Sequence, residues 1–177
     1  MNTYAVITQA IGIIAMAMNI FSFQCKKTRN FYMMQACGGI LFAFNYIMLG
    51  MYTGAITNIV NLLRSAVMSG GKKTRKWYFF VLVAGAYVAA TLFTYAGWLS
   101  IIILVAQLVG VSTMWTDNGK IIRIGQFFAV SPLWLIYNIA AGSIGGIICE
   151  IFTFVSVIVY AARCILPKMI KERNGVQ

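Results

Sequence analysis

Residues 54–64 read GAITNIVNLLR, and residues 146–156, 92 positions further on, read GIICEIFTFVS. The first stretch carries Asn58, Asn61 and Arg64; the second carries Glu150, Thr153 and Ser156 at the matching places. On an α-helix, positions i, i+3 and i+6 fall within an arc of roughly 120°. Each stretch therefore predicts a helix with a narrow polar stripe, at one depth and in one phase. Two such stripes on two equivalent helices predict a polar site shared between them.

The surrounding chain is 61% hydrophobic and only 10% charged. Soluble domains are about 45–50% apolar and about 25% charged, and 177 residues cannot hide this much apolar surface in one core. The composition predicts an all-α integral membrane protein. Fourteen Lys and Arg against three acids give +11, but the cations sit in short runs between apolar segments. That placement is an orientation signal rather than a nucleic-acid surface. Histidine is absent. With three acids, no Ser–His–Asp, Cys–His or paired-carboxylate site can be assembled, so no enzyme chemistry, metal or cofactor is expected. Cys25, Cys37, Cys149 and Cys164 show no metal spacing, and disulfides are not expected. The first 24 residues lack a positive leading region and a small-residue cleavage site, so they read as a retained span.

Seven apolar segments follow one another: residues 4–24, 31–49, 54–69, 77–95, 98–116, 124–141 and 144–165. Lys26, Lys27 and Arg29 follow the first, and Lys72, Lys73, Arg75 and Lys76 the third. Lys120 and Arg123 follow the fifth, and Lys168, Lys171 and Arg173 the seventh. The turns after the second, fourth and sixth have no cation. By the positive-inside rule this parity predicts seven spans, with the N-terminus outside and the C-terminus in the cytoplasm. Segments one to three also match segments five to seven at offsets of 91 to 93: Gln35 with Gln126, Gly50 with Gly142, Gly54 with Gly146, Asn58 with Glu150. An odd number of helices separates the two triplets, so both run the same way through the bilayer. The expectation is a 3+1+3 arrangement of parallel triple-helix-bundle repeats: residues 1–71, a linker helix at 72–96, and residues 97–177 with a cytoplasmic tail.

Three stretches, IGIIAMAMNIFSFQCKKTRN (residues 11–30), FAFNYIMLGMYTGAITNIVNLLR (42–64) and WLIYNIAAGSIGGIICEIF (134–152), make the chain similar to the bacterial inner-membrane YgjV-like family. More broadly, the architecture resembles the SWEET/PQ-loop superfamily. The resemblance implies a multi-pass inner-membrane location. It also implies transport of a small solute by alternating access, with an Asn on the third helix of each repeat facing the substrate. Asn58 or Asn61 matches that place in the first repeat, and Glu150 or Thr153 stands there in the second. A related 3+1+3 fold serves as a sorting receptor, so a non-transporting receptor, or an assembly or structural protein, is the alternative expectation.

The candidate substrate-binding residues are Asn58, Asn61, Arg64, Trp134, Glu150 and Thr153. Glu150 is an acid inside a span, where a charge costs about 2.5–3.5 kcal/mol and usually faces a partner or a cavity. Arg64 reads either as a cation snorkelling to the interface or as a partner for Glu150 or an anionic solute. Asn58 and Asn61 read either as ligand contacts or as interhelical hydrogen-bond glue. Asn19, Gln35, Asn45, Gln107, Gln126 and Asn138 read mainly as glue. Pro132 removes one helix hydrogen bond and is the candidate gate or hinge, with Trp134 and Tyr137 as an aromatic wall. Partners are expected to be the lipid bilayer, a small polar substrate and, optionally, further copies of the chain; nucleic acid is not.

Overall fold

A computed structural model describes residues 3–22, 25, 28–71, 76–160 and 162. Cys164 and the basic tail, with the expectations placed on them, lie outside those residues. Among the described residues there are seven helices and no strands: α1 (Thr3–Ser22), α2 (Thr28–Met48), α3 (Tyr52–Ser69), α4 (Trp77–Phe93), α5 (Trp98–Trp115), α6 (Gly119–Ala141) and α7 (Ile144–Tyr160). Four of them, α1, α2, α5 and α6, are long and apolar enough to cross a membrane. α4 and α7 are apolar but shorter, and the polar stripe lowers the hydropathy of α3.

The polar groups within these helices are mostly satisfied locally, as a low-dielectric setting demands. Thr8, Thr57, Thr113 and Thr153 each return a hydroxyl to the carbonyl four residues back, at 2.8–3.0 Å. Large apolar side chains point outward instead: Phe93 is 89% exposed, Phe128 75% and Leu92 71%, a surface suited to lipid rather than water.

Helices α2 and α6 end alike. Gly50 (φ 71°) and Gly142 (φ 67°) adopt the left-handed conformation. Around each, two backbone bonds close a Schellman turn: Met51 N to Tyr46 O and Gly50 N to Ile47 O, then Ser143 N to Asn138 O and Gly142 N to Ile139 O. Gly142→Ala is expected to cost about 1–2 kcal/mol through its left-handed backbone alone, since no atom crowds the new methyl. Thermal unfolding in detergent checks this, and Gly50→Ala should behave the same way.

Packing arranges six helices in a ring, α1–α2–α3–α5–α6–α7, with α7 returning to α1, while α4 lies outside against α3 and α5. Two staples close the ring at the end where the Gly50 and Gly142 turns lie. The Gln9 amide on α1 donates to Gly142 O (2.8 Å) and accepts from Ile144 N (3.0 Å). Ser100 on α5 bonds the Thr53 hydroxyl at the start of α3 (2.9 Å), and Thr53 also donates to Thr94 O.

α6 departs from expectation at both its start and its middle. It begins at Gly119, not Ile124, because Asn118 caps it by accepting Lys120 N at 3.0 Å. Lys120 and Arg123 are thus helix residues rather than loop residues. The irregularity expected at Pro132 lies just before it, in a π turn over Gln126–Val130. There Ser131 N reaches back to Gln126 O, and the Gln126 amide donates to the Ser131 hydroxyl at 3.0 Å. Proline supplies no N–H to the ladder, and a π turn changes the helix register at that point.

Candidate functional site

The ring encloses a cavity of about 560 Å³ lined from six helices and not from α4. Both polar stripes face it: Asn58, Asn61 and Arg64 from α3, and Glu150, Thr153 and Ser156 from α7. Trp134 also lines it; Pro132 does not. The cavity is blind. At the end of the Gly50 and Gly142 turns it stops against Tyr46 (2% exposed) and Asn138 (1%). At the other end its lining reaches exposed Gly119, with Arg123 and Phe31.

An aromatic plug forms the closed end. Tyr46 stacks on Trp134 (5.9 Å between ring centroids) and on Phe42 (6.1 Å), and meets Tyr137 edge-on (5.7 Å). Hydrogen bonds lock these rings. The Tyr46 hydroxyl donates to Asn138 Oδ1 at 2.6 Å. The Tyr137 hydroxyl accepts from Gly54 N at 2.7 Å and donates to Met51 O at 3.4 Å. Asn45 donates to Thr8 O and accepts from the Ser143 hydroxyl, both at 2.7 Å. Glycine makes the close approach possible at two stations: a Cβ on Gly54 would lie 2.6 Å from the Tyr137 ring, and one on Gly146 would collide with the Asn138 amide.

The site residues differ in what they leave free. Asn58, only 7% exposed, turns its amide NH₂ back to Gly54 O (2.8 Å), which leaves Oδ1 as the group it can offer. Asn61 accepts the Tyr87 hydroxyl from α4 on its Oδ1, which leaves its NH₂. Arg64 also acts on that tyrosine hydroxyl, and among the described residues it forms no ion pair with Glu150. The pairing that was one reading of Arg64 is therefore not made. Thr153 spends its proton on Cys149 O (3.0 Å). Glu150 meets the Ser131 side chain, yet its Oε2 is buried without a hydrogen-bond partner. Gln107 Nε2, on a side chain 2% exposed, is equally unpartnered.

Asn45 and Asn138 act as glue, as their type suggests; Asn138 also lines the cavity, as do Asn19, Gln35, Gln107 and Gln126. Nothing in the sequence reading singles out Tyr46, and Arg123, which reads as a loop cation, lines the mouth and donates to Gly119 O (3.0 Å). A signal for the plug was present: Asn45-Tyr46 and Tyr137-Asn138 are the same pair reversed, 92 positions apart.

An orphaned buried donor normally destabilises a fold by about 1–3 kcal/mol. Gln107→Met is therefore expected to raise the unfolding midpoint in detergent while weakening any solute bound in the cavity. A midpoint that falls would show Gln107 to be a structural contact.

Residues 6–167 match the model of the Imp-YgjV family, described as a bacterial inner membrane protein. No curated protein and no solved structure matches the chain.

Proposed function

We propose that this chain, which belongs to the Imp-YgjV family of bacterial inner membrane proteins, carries a small polar metabolite across that membrane by alternating access. The observation that carries the reading is the cavity itself. It is central, blind at one end, large enough for a metabolite, and lined by buried polar atoms that have no protein partner. Intramembrane polar groups held on a cavity usually mark a solute path, and proteins rarely leave such atoms unmatched unless a ligand or water meets them.

In this reading the chain crosses seven times, N-terminus outside, as two parallel repeats (1–71 and 97–177) joined by a linker helix (72–96). Several features support the duplication. The Schellman turns match at Gly50 and Gly142. Gln9 and Ser100, 91 positions apart, make the corresponding staples α1–α7 and α5–α3. Rocking the two triplets about the cavity would break the plug at one end and close the other. No nucleotide-binding motif is present in the sequence, so movement is downhill or ion-coupled. Asn58, Asn61, Arg64, Trp134, Glu150 and Thr153 form the binding surface, and the π turn with Pro132 is the hinge.

Cys149, which lines the cavity, is a built-in probe. In proteoliposomes of a Cys25→Ser, Cys37→Ser, Cys164→Ser variant, a membrane-impermeant maleimide should reach Cys149 from the face where Gly119 and Arg123 lie. It should reach it from the opposite face only when solute exchange is under way. Labelling from both faces at equal rates without solute would indicate an open pore. Solute binding with no flux would favour the receptor alternative.

A further inference from the structure

The geometry points to a substrate class: a small organic ammonium that also carries a hydroxyl or carbonyl oxygen, its nitrogen held at Glu150. This deepens the reading of the cavity as a solute site and rests on it. Glu150 is the only Asp or Glu in α1–α7; of the other two acids in the chain, Asp117 precedes α6 and Glu172 lies in the tail. Its Oε2 is buried and unpartnered. A carboxylate in that position needs either a proton or a donor from outside the protein.

The cationic side chains of the cavity do not supply the donor. Arg64 lies beside the Tyr87 hydroxyl of α4 and, among the described residues, makes no ion pair with Glu150, and Arg123 donates to Gly119 O near the mouth. The unmet demand of the site is thus for a donor at Glu150 and for an acceptor at Gln107 Nε2. An anionic solute would satisfy Gln107 alone and would be repelled by an ionised Glu150.

The neighbourhood of the acid suits an ammonium further. Ser131, which meets Glu150, and Trp134 lie three residues apart on one face of α6. The Glu150 carboxyl also lies within electrostatic reach of Tyr46. Trp134, Tyr46 and Phe42, all lining the cavity, set aromatic rings at that end, and ring faces attract organic cations.

The same geometry makes the proton a competitor for the site. Among the described side chains, the other ionisable ones on Glu150's helix and on the two helices packed against it are Cys149 on α7, Tyr4 on α1, and Lys120, Arg123 and Tyr137 on α6. Tyr46 faces it from α2. None of these is a second carboxylate that could take over the role.

The test uses matched probes on purified full-length protein in nanodiscs, read by tryptophan fluorescence and calorimetry. Ethanolamine, ethylene glycol and glycolate form a small set; phenylalaninol, 3-phenyl-1,2-propanediol and 3-phenyllactate form a larger one. The ammonium member of each set should bind best and lose affinity as the medium is acidified. Glu150→Gln should weaken it about 10- to 100-fold, the worth of a charge-assisted contact, while Glu150→Asp retains most of it. If neutral or anionic members bind as well and Glu150→Gln changes nothing, the ammonium assignment is overturned, whereas flux of those members in proteoliposomes would leave the carrier reading intact. Ammonium binding that needs Glu150 but is accompanied by no flux supports the assignment and removes the carrier reading. Absence of binding by all six probes overturns the assignment.

Discussion

Gly145→Ala is expected to separate α1 from α7 and to destabilise the protein by upward of about 3 kcal/mol, at the top of the range for overpacked sites. Gly145 is buried, and the added methyl would collide with the carbonyl carbon and oxygen of Gly12 and approach Ile13 N to 2.8 Å. Those are backbone atoms of the neighbouring helix, so no rotamer change can make room. Only a shift of one whole helix can, and that shift pulls against the Gln9 clamp on Gly142 O and Ile144 N. Close approach through small residues is how membrane helices gain packing in the absence of a hydrophobic drive between them. Gly85→Ala is the control. It lies in helix α4 with no atom within 4 Å of the new methyl, and it should be neutral or stabilise by up to about 1 kcal/mol. Thermal unfolding of the two variants beside the parent decides the matter. A parental midpoint for Gly145→Ala would mean that α1 and α7 do not cross at Gly12.

Which parts of this arrangement the sequence discloses follows from what each signal encodes. Helix limits were legible because apolar runs end at glycines or cations, and the matched glycines at 50 and 142 are the left-handed residues that end α2 and α6. The stripe phases were legible because a period near 3.6 says which side chains share a face. A period does not say which helix lies opposite. The ring order, with α7 against α1 and α3 against α5, comes from glycine contacts and side-chain staples between residues more than 40 positions apart. Nor does a side chain's type reveal its partner. Asn58 bonds its own helix, Arg64 lies beside Tyr87 on α4, and the Gln107 Nε2, ordinary in type, is left without a partner. The early start of α6 was readable from Asn118, a common capping residue, but Lys120 and Arg123 made the segment look like a loop.

Tyr46→Ala is expected to turn a blind cavity into a leak. Tyr46 is 2% exposed and is the ring through which Phe42, Trp134 and Tyr137 all pack. Truncating a buried aromatic to alanine costs about 3–5 kcal/mol. Here the space vacated adjoins the cavity of about 560 Å³ that Tyr46 itself lines. The void extends the wet space towards the end held by the Gln9 and Ser100 staples, leaving fewer groups to exclude water. Proteoliposomes of this variant should pass small neutral solutes down a gradient without saturation. Tyr46→Phe separates closure from stability. It keeps the ring stack and removes only the hydroxyl that donates to Asn138 Oδ1, so it should lose about 1–3 kcal/mol for an orphaned acceptor and remain tight. If Tyr46→Ala folds and stays as tight as Tyr46→Phe, the aromatic stack is not what closes the cavity. The barrier would then have to be the stapled helix ends alone.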